Sequence, residues 1–137
     1  MDKSKYTGEH LTPNETRLME YLWEFDAPTT SADLLKYIKD WKNGYIQNVL
    51  MSLTKKGMIE CVNIVQNGRR FLKQYKVTIT KEEYAARMIN QLHIKKKSIP
   101  RIALALVEDL PEDDRDEIIS ELEQIVDEFK NRKCGGL

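Results

Sequence analysis

Residues 44–79 read GYIQNVLMSLTKKGMIECVNIVQNGRRFLKQYKVTI. The first part of this stretch has helical spacing. Ile46, Val49, Leu50 and Leu53 stand at i, i+3, i+4 and i+7, which predicts a helix from roughly Gly44 to Lys56 with those four side chains facing a core. Gly57 suits the stop, because a helix often ends on a left-handed residue that only glycine adopts freely. The second part changes chemistry. Ile59, Val62, Ile64 and Val65, then Phe71, Leu72, Tyr75, Val77 and Ile79, are strand formers. Gln66-Asn67-Gly68 lies between the two runs, and Asn-Gly in that setting is a strong hairpin signal.

Working outward toward the N-terminus, two more helices precede the quoted stretch. Thr12-Pro13-Asn14-Glu15 combines an N-cap threonine, a proline at the first helical position and a glutamate where a capping box needs one. Leu18, Met19, Leu22 and Trp23 follow as an apolar stripe, and Asp26-Ala27-Pro28 ends the helix. A second cap at Thr30 or Ser31 opens a short helix with Ala32, Leu34, Leu35 and Ile38 on its apolar side. Trp41 to Gly44 reads as a turn, with Asn43 placed to cap the third helix. Three short helices followed by a hairpin is the order of a winged helix-turn-helix.

Toward the C-terminus the pattern is helical throughout. Thr80-Lys81-Glu82-Glu83 is a further capping box, leading a helix with Tyr84, Met88, Ile89 and Leu92. Pro100 opens a short, very apolar helix bearing Ile102, Ala103, Leu104, Leu106 and Val107. After Pro111 a last helix carries Ile118, Ile119, Leu122, Ile125, Val126 and Phe129, and residues 134–137 read as a frayed tail. The expected fold class is therefore mainly α with a small β-hairpin wing. Residues 1–80 would form the winged-helix DNA-binding domain and 81–137 a helical dimerisation domain. Ile102, Leu106, Ile118, Ile119, Leu122, Ile125, Val126 and Phe129 are the expected dimer contacts, since helices appended to a complete winged helix have little else to cover them. The alternative is that they fold back on the winged helix in a monomer.

The 137 residues are 41% hydrophobic and 32% charged, a globular composition, with formal net charge zero. The zero conceals an asymmetry. From Trp41 to Lys76 the basic residues Lys42, Lys55, Lys56, Arg69, Arg70, Lys73 and Lys76 are opposed only by Glu60. From Glu108 to Glu128 a dense acidic run is opposed only by Arg115. A basic middle beside an acidic end suggests separate tasks, one of them toward a polyanion.

The third helix then acquires a role. Its outer side would carry Tyr45, Gln47, Asn48, Met51, Ser52 and Lys55. Gln47 and Asn48 hold the amide pair that reads adenine, Met51 can touch a thymine methyl group, and Tyr45 and Ser52 reach bases or phosphates. Lys42, Lys55, Arg69 and Arg70 are the expected phosphate contacts, which give affinity and register while the helix chooses sequence. The rival reading is a winged helix that binds protein without operator DNA. The lysine-rich surroundings argue against it, because protein interfaces are depleted of lysine.

Other chemistry is thin. His10 and His93 are the only imidazoles, and neither stands at triad or ligand spacing with a partner; no phosphate-cradling glycine loop is present. The chain reads as no enzyme. Cys61 and Cys134 lack the close pairing of zinc sites and read as free thiols in a reducing compartment, so no metal or cofactor is expected. With no apolar run of membrane-spanning length and no signal-peptide pattern, a cytoplasmic location is expected and no membrane partner.

The run Leu11-Thr12, Glu15, Met19, Leu22-Trp23, then Trp41, Val49-Leu50, Leu53, Lys56-Gly57, then Tyr75, Val77, Glu83 and Tyr84 resembles the penicillinase repressor family. That family includes the methicillin-resistance and copper-transport repressors. The resemblance implies a bacterial transcriptional repressor, a homodimer that binds double-stranded, pseudo-palindromic operator DNA. Three departures limit what carries over. The family's recognition helix usually has threonines where this chain has Tyr45 and Asn48, and often an arginine where it has Ser52. Antibiotic-sensing members are cleaved at an Asn-Phe pair, where this chain has Ala105-Leu106. Copper-sensing members carry paired C-x-C motifs, where Cys134 stands alone.

Overall fold

A computed structural model describes residues 5–135 of the chain, with side chains to Arg132. The Cys134 side chain and residues 136–137 lie outside what is described, whereas positions 134 and 135 of the expected frayed tail continue the last helix.

Three helices come first. Helix α1 spans Pro13–Phe25, α2 spans Ser31–Leu35 and α3 spans Asn43–Lys55. The hairpin follows as β1, Ile59–Asn67, paired antiparallel with β2, Arg70–Val77. Helix α4 covers Lys81–Asn90, a 3-10 turn covers Lys96–Ser98, and α5, Ile99–Glu108, and α6, Glu112–Gly135, complete the chain. This is a winged helix followed by helices, mainly α with one two-stranded sheet.

The boundaries follow local chemistry. At α1 the capping box closes both ways: the Glu15 N–H donates to Thr12 Oγ1 at 3.2 Å, and the Thr12 N–H donates to Glu15 Oε1 at 2.7 Å. Asp26 ends α1 in the left-handed region at φ 47°, with its N–H returning to the Leu22 carbonyl. Thr30, rather than Ser31, caps α2. The expected Asn43 cap does not form. Lys42 takes the cap position without a side-chain bond, and its carbonyl accepts from the Tyr45 and Ile46 N–H groups, so Asn43 becomes the first helical residue.

Gly57 has φ +79°, and a Cβ there would lie 1.9 Å from the Lys5 carbonyl oxygen. No other residue fits: the conformation and the close approach of the N-terminal segment both require glycine. In the hairpin, Asn67 pairs with Arg70, so the two loop residues are Gly68-Arg69 rather than Asn67-Gly68. Positive φ occurs at Gly68 and not at Arg69, the pattern of a II′ turn. A bulge at Val62 shifts the register between Cys61 and Asn63. Thr29 adds a bridge to the sheet, exchanging both backbone bonds with Tyr75 at 2.9 and 2.8 Å.

The chain divides into two compact units at Asn90/Gln91, so α4 lies in the first. That unit holds its own core: Leu18, Leu22, Leu34, Ile38, Ile46, Leu50, Leu53, Met58, Ile59 and Ile79 are all buried. Helix α4 packs here by aromatic contact. The Tyr84 ring lies 5.7 Å from Trp23 and 5.7 Å from Tyr6, while Trp23 Nε1 donates to the Ile79 carbonyl at 2.9 Å. The second unit buries no described residue fully.

Candidate DNA-binding face

Helix α3 is amphipathic, so core packing of Ile46, Val49, Leu50 and Leu53 determines which side chains remain outward. Asn48 and Met51 are exposed there, one helical step apart on the same side. Tyr45 is exposed at the helix start but not loose. Its ring meets Trp41 edge-on at 4.9 Å, and its hydroxyl accepts from Asn14 Nδ2 at 2.6 Å. Trp41 in turn lies under the Arg17 guanidinium at 5.1 Å, and Arg17 grips Asp40 with two bonds of 2.8 and 2.7 Å. The hydrogen bond to Asp40 raises the pKa of Arg17, and the same bond lowers that of Asp40. Side chains of α1 and of the turn before α3 thus frame the start of the helix.

Two more of the expected base-reading residues have partners inside the protein. Gln47 is half-buried, and its Nε2 donates to Ser31 Oγ at 2.9 Å, leaving its carbonyl oxygen for other work. Ser52 turns away from the outer face: its hydroxyl donates to Glu15 Oε2 at 2.5 Å. Glu15 also accepts from Lys56 Nζ at 2.6 Å, and Lys56 reaches the His10 carbonyl at 2.8 Å. Burial alone would raise the Glu15 pKa. The hydrogen bonds from Lys56, Ser52 and the Thr12 N–H, with the Lys56 charge, outweigh it and hold the carboxyl below its ordinary value. This cluster ties the end of α3 to the start of α1, so Ser52 and Lys56 serve the fold.

The basic residues separate by position. Lys42 precedes α3 and Lys55 stands in its last turn, both exposed. Arg69 and Arg70 are exposed at the hairpin turn. Lys73 is also exposed, on β2, and with Phe71 it borders a cleft of about 310 Å³ whose other wall includes Gln47, Met51 and Lys55. Phe71 and Lys73 stand outside the base-reading and phosphate contacts expected from the sequence. The alternation of β2, which puts Phe71, Lys73 and Tyr75 on one face, is the signal that finds them.

Of the expected dimer contacts, Ile102 and Ile118 are half-buried, whereas Leu106, Ile119, Leu122, Ile125, Val126 and Phe129 are exposed. Among the described residues no group of three or more His, Cys, Asp or Glu side chains could hold a metal ion. No described helix is long and apolar enough to cross a membrane.

The chain is similar to several solved structures. A mutant of MepR from Staphylococcus aureus, bound to an oligodeoxyribonucleotide, is 17% identical, with 87% of this chain and 80% of that one covered and a TM-score of 0.48. ZitR from Lactococcus lactis, a zinc-responsive MarR family member, is 13% identical, with 94% and 83% covered and a TM-score of 0.43. No curated protein matches. The profile of the penicillinase repressor matches residues 11–124. With most of its length inside that match, the winged helix and its basic face included, the chain belongs to the penicillinase repressor family of DNA-binding transcriptional repressors.

Proposed function

We propose that the protein represses transcription as a homodimer on a pseudo-palindromic operator, with α3 of each protomer in a major groove and the wing against the backbone. The observation that carries this reading is the outer face of α3. Asn48 and Met51 stand exposed on a helix held at both ends, with exposed lysines and arginines before it, at its end and at the wing tip. Asn48 supplies the donor and acceptor that read adenine, Met51 an apolar contact for a thymine methyl group, and Tyr45 and the free carbonyl oxygen of Gln47 complete the reading surface. Lys42, Lys55, Arg69 and Arg70 bind phosphate. Operator DNA as the partner implies a cytoplasmic location.

Dimerisation is supported by the second unit, whose large apolar side chains lie open to solvent in a single chain. Two-fold pairing through that unit would cover them and supply two copies of α3 for half-sites about one helical turn, or a multiple, apart.

The test is a footprint of the purified protein on DNA upstream of its own gene, titrated at two salt concentrations. A protected inverted repeat is expected. With roughly 6–10 phosphates engaged, affinity should fall about 10³–10⁵-fold between 50 and 200 mM salt. Asn48→Ala should cost about 1–3 kcal/mol on the operator and flatten base preference at one position per half-site, while Arg70→Ala weakens all sequences alike. Salt-insensitive binding, or an equal loss on every sequence from Asn48→Ala, would contradict the reading.

A further inference from the structure

The wing keeps apolar side chains in the open. Phe71 is 71% exposed and Ile64 58%. The register sets Ile64 opposite Lys73 and Gln66 opposite Phe71. Opposed residues share a face and successive residues alternate, so Ile64, Phe71 and Lys73 lie on the face that also carries Tyr75. That face borders α3: Phe71, Lys73 and Tyr75 line the cleft of about 310 Å³ with Met51 and Lys55 across from them.

The composition of this cleft is specific. A cation stands on each wall, Lys55 from the helix and Lys73 from the strand, and both are exposed. The helix wall also carries a thioether, Met51 being 57% exposed, and the strand wall an aromatic ring, Phe71. Neither the core nor strand pairing requires an aromatic residue at position 71, since the side chain covers almost nothing in the protein itself. A nucleic-acid strand has the matching alternation, anionic phosphates separated by sugars with apolar faces.

We propose that one strand of operator backbone lies along this cleft. Lys55 and Lys73 take phosphates from its two walls, and Phe71 packs on the deoxyribose between them. The proposal rests on the reading of α3 as the helix that enters the DNA. It makes the wing a contact along the length of β2, where the arginines alone would make it a contact at the tip.

The experiment uses the full chain and its footprinted operator, with affinity measured over a series of salt concentrations. Lys73→Ala should make the dependence of log K on log salt shallower by about 0.9 per protomer, equally on operator and unrelated DNA. Phe71→Ala should weaken binding roughly two- to tenfold and leave that slope unchanged, and Phe71→Leu should restore part of the loss. Lys36→Ala, on the rim of a different cleft, is the control and should leave both quantities as they were. If wild type protects its operator while Lys73→Ala and Phe71→Ala titrate as wild type does, the cleft is empty in the complex and the proposal falls alone. If wild type protects no site, the operator reading falls and takes this one with it.

Discussion

The two compact units handle their apolar residues in opposite ways. In the first, Leu18, Leu34, Ile46, Leu50 and Leu53 are each 0% exposed. In the second, Leu104, Leu106, Ile125 and Phe129 are each more than half exposed. Composition does not explain the difference, since α5 is more apolar than any helix of the first unit. What differs is the number of surfaces available. The first unit has three helices, a hairpin and α4 to close around one centre. The second has two helices and a 3-10 turn, each with an apolar side and little to lay it against. On the proposed reading, a unit of that kind completes its core by pairing.

Three perturbations would break or sharpen this contrast. The largest effect is expected in the first core. Leu50→Ala removes a fully buried side chain from α3 and should cost about 2–5 kcal/mol. Both tryptophans, Trp23 and Trp41, belong to the first unit, so their fluorescence follows that unit alone. The melting midpoint it reports should not depend on protein concentration, whereas loss of helix signal from α5 and α6 should. Concentration dependence in both signals would remove the contrast.

The second effect is on association. Leu122→Asp sets a carboxylate on the exposed stripe of α6, and in a symmetric pair it does so twice. The dimer dissociation constant should rise roughly a hundredfold, about 3 kcal/mol, by sedimentation equilibrium. Tryptophan fluorescence of the variant should be that of wild type. A variant that remains dimeric would show that another surface joins the protomers.

The smallest effect concerns Glu15. Glu15→Gln keeps the shape of the buried side chain but removes its charge, and should cost about 1–2 kcal/mol by denaturant titration. Because the folded chain holds this carboxyl below its ordinary pKa, folding favours the ionised form. Its contribution is therefore fully present above the ordinary carboxylate range and is lost as pH falls through that range to the folded value. Wild type and Glu15→Gln should differ in stability at neutral pH and converge in acid. A gap of constant size would assign the loss to packing.

Much of the fold was legible because its signals are local. The capping box at Thr12 and Glu15, the four-residue stripe of α3 and the strand runs around Asn67-Gly68 each depend on a few neighbours in sequence. The candidate site was legible only as a face. Helical spacing put Ser52 outward with Asn48, but the spacing is blind to Glu15, which lies across from it on another helix and accepts its hydrogen bond. The same blindness hid the Arg17–Asp40–Trp41 frame around Tyr45, whose members come from two elements. Lys73 and Phe71 were missed for a different reason. Strand alternation was available, but which face of the wing looks toward α3 depends on long-range contacts such as the Thr29–Tyr75 bridge, which has no sequence signature as strong as a turn.

Gly57 has one more effect. Because its bare α-carbon lets the Lys5–Tyr6 backbone come so close, the Thr7 N–H can donate to the Lys56 carbonyl at 2.8 Å. An amide that precedes the first helix is thereby fastened to the end of the third. Its hydrogen should exchange with solvent in step with the amides at the end of α3, more slowly than an amide left open to water.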